Sequence, residues 1–243
     1  MDKVKFGYDE VDQTDKPEKV NKVFTSVSNK YDLMNDIMSF GLHRLWKKQF
    51  LRLCDLGNKN NILDIACGTG DISLEIKKQK NDVQLTCLDP NIEMIEICKQ
   101  KFLNKGFTDI KYINLGIEEF ESEVKYDLAS LAFGFRNFSD PLKGLINIFE
   151  SLELGGQLLL MDFKVPRNKI YSQLFKAYTL NIIPNIGKIV ANDKESYKYL
   201  GESIQTYYTP EEIRSMCLNV GFEKVKIINL PEDVASIHVA HKI

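Results

Sequence analysis

The sequence predicts an α/β protein built on a doubly wound, mostly parallel sheet with a C-terminal antiparallel strand. Three observations point to it. From Asn61 onward, short apolar runs alternate with helical periodicity; the first run ends in a glycine-rich turn that opens a helix; and the segments flanking this core keep helical spacing. Strands and helices alternating through short connections are the pattern of a parallel sheet covered on both faces.

Residues 17–55 read as helical, with Phe24, Val27, Tyr31, Leu33, Met34 and Ile37 at mixed three- and four-residue spacing and breaks at Gly41 and Gly57. Ile62 to Cys67 is a first strand, Asp71 to Lys78 a helix, Val83 to Leu88 a second strand, and Ile92 to Phe102 a helix. Strands follow at Ile110–Leu115 and Tyr126–Phe133, then an amphipathic helix at Leu142–Leu152 and the run Gln157–Met161. Residues 167–206 interrupt the alternation. Ile170, Leu174, Phe175, Tyr178 and Ile182 share one helical stripe, Pro184 and Gly187 read as a break, and a second helix runs from Asp193 to Gln205. A helix at Pro210–Val220 capped by Gly221 and two strands at 222–229 and 234–241 close the sheet with an antiparallel edge. The expected organisation is a single domain: a helical cover (1–57), a cofactor-binding core (58–166), a helical lid (167–206) and the end of the core (207–243).

The chain has 243 residues, 44% hydrophobic and 27% charged, with net charge −2, which is globular composition without a broad attraction to nucleic acid. Its five cysteines are odd in number and form no CxxC pair, which fits a reducing compartment. His43, His238 and His241 do not fall at ligand spacing with cysteines or carboxylates, so no metal site is expected. The first 18 residues carry several acids and no apolar signal core, and the longest apolar runs are too short to span a bilayer. The expectation is a cytoplasmic protein, with room for peripheral contact at the inner membrane.

The informative segment is Asp64-Ile65-Ala66-Cys67-Gly68-Thr69-Gly70-Asp71. Gly68 and Gly70 allow a sharp turn and close approach to a ligand. Asp89, about 20 residues on, ends the second strand where an acid can accept hydrogen bonds from ribose hydroxyls. A dinucleotide fingerprint needs Gly or Ala at position 73, and this chain has Ser73. That favours S-adenosylmethionine, which has no pyrophosphate, over NAD, with Asp64 and Asp71 as candidates to hold its ammonium group. A GxG turn alone recurs as plain structure; strand, turn, helix, second strand and terminal acid together are far more specific.

The fourth strand runs into Phe133-Gly134-Phe135-Arg136-Asn137-Phe138. Ligands of open α/β sheets bind at the carboxyl ends of strands, so Arg136 and Asn137 are expected to face the pocket. Phe6, Phe24, Tyr31 and the stripe from Ile170 to Ile182 each read alone as core packing and together as an apolar cover.

With these residues, the chain resembles the UbiE/Coq5 (MenG) family, the C-methyltransferases of ubiquinone and menaquinone biosynthesis. The resemblance covers nearly the whole length. It includes Phe6-Gly7-Tyr8, Lys30 to Asp36, Met38 to Lys47, the Gly68-Thr69-Gly70-Asp71 turn, Phe133 to Asn137, Pro184 to Asp193 and Ser196 to Ile204. It implies a class I methyltransferase-like fold, cofactor contacts at Thr69, Asp89, Gly116 and Ile117, and Arg136 and Asn137 beside the substrate. The family often has Ser where this chain has Ala132, which leaves a backbone contact there, and Cys67 replaces a frequent Gly.

The implied reaction is C-methylation of a polyprenyl quinol, 2-methoxy-6-polyprenyl-1,4-benzoquinol or demethylmenaquinol. Loss of a ring-hydroxyl proton pushes charge onto the attacking carbon, and positioning can supply about 7–11 kcal/mol. Arg136, with a pKa above about 12, is suited to stabilise the quinolate or hold a water rather than to act as base. Asn137 would orient a ring oxygen, and His43 is a second candidate base. Methylation of another small phenol or lipid is the nearest alternative. A non-catalytic cofactor-binding scaffold subunit is disfavoured by the intact Arg136–Asn137 pair. A homodimer or a quinone-biosynthesis complex is compatible with the sequence.

Overall fold

The computed structural model describes residues 2–243. In chain order it has strands β1 (Lys3–Phe6) and β2 (Asp9–Asp12), then helices α1 (Lys16–Val27), α2 (Tyr31–Ser39) and α3 (Leu42–Leu53). The core continues as β3 (Asn61–Ile65), α4 (Asp71–Gln79), β4 (Gln84–Leu88), α5 (Ile92–Leu103), β5 (Ile110–Ile113), β6 (Tyr126–Ala132), α6 (Pro141–Ser151) and β7 (Leu152–Phe163). Helices α7 (Lys169–Ala177), α8 (Ile183–Ala191), α9 (Lys194–Gln205) and α10 (Pro210–Val220) precede β8 (Glu223–Asn229) and β9 (Ala235–His241).

The main sheet has seven strands in the order β5-β4-β3-β6-β7-β9-β8. The first five are parallel, and β9 runs antiparallel to both of its neighbours. The antiparallel strand is therefore not the edge that the sequence suggested: β9 inserts between β7 and β8. Its residues Ala235 to Ala240 are all buried, which suits a strand covered on both faces and not an edge. Strand order reverses between β3 and β6, and the crevice at that switch point is where open α/β sheets bind ligands.

The N-terminal cover breaks at Gly41, as the sequence predicts, and has two features the sequence does not announce, a hairpin and a second break at residues 28–30. The hairpin, β1–β2, precedes α1 and turns at Gly7. Phe6 packs on the lid segment: its ring stacks on Tyr199 of α9 with centroids 4.2 Å apart. A 3₁₀ turn at Ser28–Lys30 separates α1 from α2, and Phe40 and Gly41, both left-handed, separate α2 from α3.

Pro184 and Gly187 do not break the lid. Helix α7 passes through a π turn at Tyr178–Ile182 straight into α8, and Pro184 sits in the first turn of α8. A proline lacks the N–H that an interior helical position would use, and in the wider turn this absence costs little. The break comes at Asn192, left-handed at φ 56°, after which Asp193 caps α9 by accepting from Ser196 N–H. Gly187 serves close approach instead: a Cβ there would lie 2.2 Å from Tyr197 Cδ2 and 2.7 Å from Asp193 O. Overpacking of this kind costs about 1–3 kcal/mol. Gly187→Ala should lower Tm by roughly 2–12 °C in a chain of this size, whereas Gly57→Ala, which meets open space, should shift it by less than about 2 °C. Equal melting curves would show that α8 and α9 do not depend on this contact.

Candidate active site

The turn after β3 is built from left-handed residues: Ala66 at φ 49°, Gly68 at 56° and Gly70 at 80°. Gly68 N–H donates to Asp89 Oδ2 at 2.8 Å, and Asn91 N–H donates to Asp89 Oδ1 at 2.8 Å. Asp89 thus ties the end of β4 to the turn, with half of its acceptor capacity left over. Burial pushes its carboxyl up to about 6, against the two backbone hydrogen bonds that favour its charge.

Neither acid proposed for an ammonium group is free of partners. Asp64 is buried and accepts from Ser130 Oγ at 2.6 Å and from Ser73 Oγ, and burial pushes its carboxyl up to about 7. Ser73, read from sequence as a departure from the glycine fingerprint, is the hydroxyl that satisfies Asp64. Asp71 pairs with Lys47 at 2.7 Å and Lys101 at 2.8 Å. Burial raises its carboxyl, and the two cations outweigh this and hold it at about 2. Thr69 Oγ1 donates to Asp32 Oδ1 at 2.8 Å and accepts from Lys101 Nζ at 2.9 Å, so α2 and α5 both grip the turn. No sequence spacing signals Asp32, Lys47 or Lys101, because each reaches the turn from a distant segment.

Two cavities meet at the turn. One is lined by Gly68, Asp89, Asn91, Gly116, Ile117, Ala132 and Asn137, and the other, mostly apolar, by Thr69, Arg136, His43, Met38, Phe175 and Tyr178. Phe24, Tyr31, Ala66, Gly68, Ala132 and Phe133 line both and form the shared wall. Ile117 is buried and its carbonyl accepts from Asn147 Nδ2 at 2.9 Å, while Asn114 Nδ2 donates to Asp89 O at 3.0 Å.

Arg136 and Asn137 sit in a 3₁₀ turn that follows β6. With three residues per turn, neighbours point about 120° apart. They accordingly enter different cavities: Arg136 lines the one with His43 and Phe175, and Asn137 the one with Asp89. The structure thus sets the two side chains in adjoining cavities, where the sequence predicts both beside one substrate ring. Asn137 Oδ1 accepts from Tyr199 OH at 3.0 Å. Arg136 Nη1 donates to Asp162 Oδ1 at 2.9 Å and to Phe133 O at 2.5 Å, and its guanidinium lies 5.3 Å from the Phe163 ring centroid. Burial pulls against its charge, but Asp162 more than offsets this and keeps it cationic. Its Nε is buried and, among the described residues, has no partner.

Asp162, at the end of β7, escaped sequence reading although an acid closing the run Leu158–Met161 was the available signal. Of the lid stripe, Phe175 and Tyr178 line the apolar cavity, and Tyr178 OH donates to Met38 O at 2.8 Å. Ile170 and Leu174 instead face outward, 73% and 64% exposed, with Ile182 also exposed. Helix rotation separates Leu174 from Phe175 by about 100°, which sends adjacent residues to different surroundings. His43 lines the apolar cavity, with Nδ1 2.8 Å from Ser39 Oγ and Nε2 3.7 Å from Asp36 Oδ1. Burial first, and then Lys47, lower its pKa, so the imidazole is neutral near pH 7. Among the described residues no helix is long and apolar enough to cross a membrane.

The fold is similar to that of a SAM-dependent methyltransferase from Thermotoga maritima, with TM-score 0.64 and 16% identity, covering 92% of this chain and 100% of that one. It is also similar to human N-acetylserotonin methyltransferase in complex with SAM, with TM-score 0.59 and 18% identity, covering 90% and 59% respectively. In sequence, the ubiquinone/menaquinone biosynthesis C-methyltransferase UbiE of Rickettsia felis is 39% identical over 100% of both chains. The UbiE of Rickettsia prowazekii is 40% identical over 98% of both. The model of the ubiE/COQ5 methyltransferase family matches residues 12–242. A match running from the end of the N-terminal hairpin through β9, on a sheet of methyltransferase topology, means that this chain belongs to the ubiE/COQ5 methyltransferase family.

Proposed function

We propose that this chain transfers a methyl group from S-adenosylmethionine to a ring carbon of a polyprenyl quinol, 2-methoxy-6-polyprenyl-1,4-benzoquinol or demethylmenaquinol. One observation carries it: a guanidinium almost wholly removed from water and held cationic by Asp162 lines a mostly apolar cavity that shares a wall with the glycine turn. The names borne by the relatives, C-methyltransferases of ubiquinone and menaquinone biosynthesis, agree with it.

The residues of the turn fit the cofactor. A Cβ at Gly68 would meet nothing within 4 Å, so the backbone borders open space, and Asp89 has acceptor positions to spare. Asp89 is assigned to the ribose hydroxyls, the Gly68-Thr69-Gly70 backbone to the amino-acid end with Asp64 beneath it, and Gly116, Ile117 and the Ala132 backbone to the base. When bound, S-adenosylmethionine supplies a methyl group made electrophilic by its sulfonium.

Arg136 faces the acceptor ring and stabilises the negative charge left when a ring hydroxyl loses its proton. The guanidinium cannot take that proton. His43 can, because its imidazole is neutral and opens on the same cavity; it accepts at Nε2, where the Asp36 carboxylate offsets the new charge. Asp64, the other group in reach of neutral pH, has its oxygens occupied by Ser73 and Ser130. Asn137 acts from the cofactor side and fixes Tyr199. Phe175 and Tyr178 line the path of the prenyl tail, and the outward Ile170, Leu174 and Ile182 support peripheral contact of a cytoplasmic protein with the inner membrane.

Incubated separately with each quinol and the cofactor, the protein should add the mass of one methyl to at least one; no addition to either, with cofactor binding intact, would sink the proposal. Removing Arg136 alone strands the buried Asp162, at a cost of about 3–5 kcal/mol, so the double variant Arg136→Ala/Asp162→Asn is the useful one. Its kcat should fall by roughly 10²–10³-fold with S-adenosylhomocysteine affinity within about threefold. Comparable loss of cofactor affinity would contradict the role given to Arg136. Phe175→Ser should raise KM for long-tailed acceptors by about tenfold more than for a short-tailed analogue, whereas Leu174→Ser should change vesicle binding and leave KM in detergent unaltered. An identical KM increase for both acceptors in Phe175→Ser would remove the tail assignment.

A further inference from the structure

Beneath the glycine turn, three sulfur atoms converge: Cys67 Sγ, Cys87 Sγ and Cys98 Sγ all lie within 4.8 Å of one another. Cys67 belongs to the turn, Cys87 to β4 and Cys98 to α5, so three separate elements each deliver one thiol to one point. Cys87 and Cys98 are fully buried, and Cys67 is partly exposed where it lines the apolar cavity. The linear spacing of 20 and 11 residues gives no metal signature, which is why the sequence pointed away from one.

We propose that Cys67, Cys87 and Cys98 form a three-sulfur site for a soft, thiophilic d¹⁰ cation, specifically Cu(I). Sulfurs placed about 2.3 Å from a common centre in a trigonal plane lie about 4 Å apart, inside the observed limit. Sulfur donors select soft ions, whereas structural zinc sites take four protein ligands. No histidine or carboxylate joins the three thiols among the described residues, and the nearby Asp64 has its oxygens bonded to Ser73 and Ser130. Three sulfur donors with no nitrogen or oxygen partner suit a three-coordinate soft ion. As the ion binds, sulfur–metal bonds replace S–H bonds, and the released protons leave to solvent past Cys67. A Cβ at Gly70 would lie 2.4 Å from Cys98 Sγ, so the turn already rests on this cluster. A bound ion would join the turn, β4 and α5 where they border the cofactor cavity.

The test is anaerobic titration of the full chain with Cu(I) in competition with bicinchoninate, combined with X-ray absorption of the loaded protein. Expected are one Cu(I) per chain and a first shell of three sulfurs at about 2.3 Å. Cys67→Ser, at the partly exposed position, should weaken binding by more than about 100-fold, whereas Cys217→Ala, remote from the cluster, should leave it unchanged. Failure to compete with the chelator, nitrogen or oxygen neighbours in the absorption spectrum, or a Cys67→Ser protein that binds as tightly as the parent would each overturn the site. The absorption measurement uses the unaltered protein, so it decides the matter even if a variant folds poorly.

Discussion

The hydrogen bond from Gly68 N–H to Asp89 organises this molecule. It joins the ends of two neighbouring parallel strands, β3 and β4, just where each must leave the sheet. The left-handed backbone at Ala66, Gly68 and Gly70 is costly for most residues, and for Ala66 in particular. A buried carboxylate that needs donors, opposite a turn that presents them, makes that conformation worth holding. The other grips on the turn, Asp32 with Lys101 on Thr69 and Ser73 with Ser130 on Asp64, add to the same framework.

The Arg136–Asp162 pair works by a different balance. Both groups are almost wholly removed from water, a situation whose desolvation penalty can exceed the attraction between the charges. An apolar pair of similar size would serve stability as well. What the pair provides is a fixed cation in a low-dielectric pocket, with Asp162 also accepting from the Arg136 backbone N–H and so setting the 3₁₀ turn that carries it. A developing anion there meets a charge that is already oriented.

Much of the core was legible in the sequence because its signals are local. Strand–helix alternation, the glycine turn and the acid at Asp89 follow from periodicity and short-range backbone needs. What escaped depends on contacts between distant segments. Pro184 and Gly187 carry the usual marks of a break, yet a π turn absorbs one and Tyr197 requires the other. The β1–β2 hairpin has short strands with too little apolar alternation to announce themselves, and it is held by Tyr199 and by Glu202, which accepts from Tyr8 N–H. The parting of Arg136 and Asn137 into two cavities depends on a single 3₁₀ turn, and the gathering of three thiols depends on the strand order of the sheet.

Helix α7 is greasy on two sides at once. Ile170 and Leu174 look outward, while Phe175 looks into the molecule and Tyr178 continues that inner side into the π turn. An isoprenoid chain loses about 0.8 kcal/mol for every methylene that passes from hydrocarbon into water. A helix with apolar flanks on both sides acts as a gangway: each unit that leaves one oily surface can be received by the next before water wets it. A head group could then travel inward while its tail still trails outside, and the interior need not be large enough to hold the whole molecule.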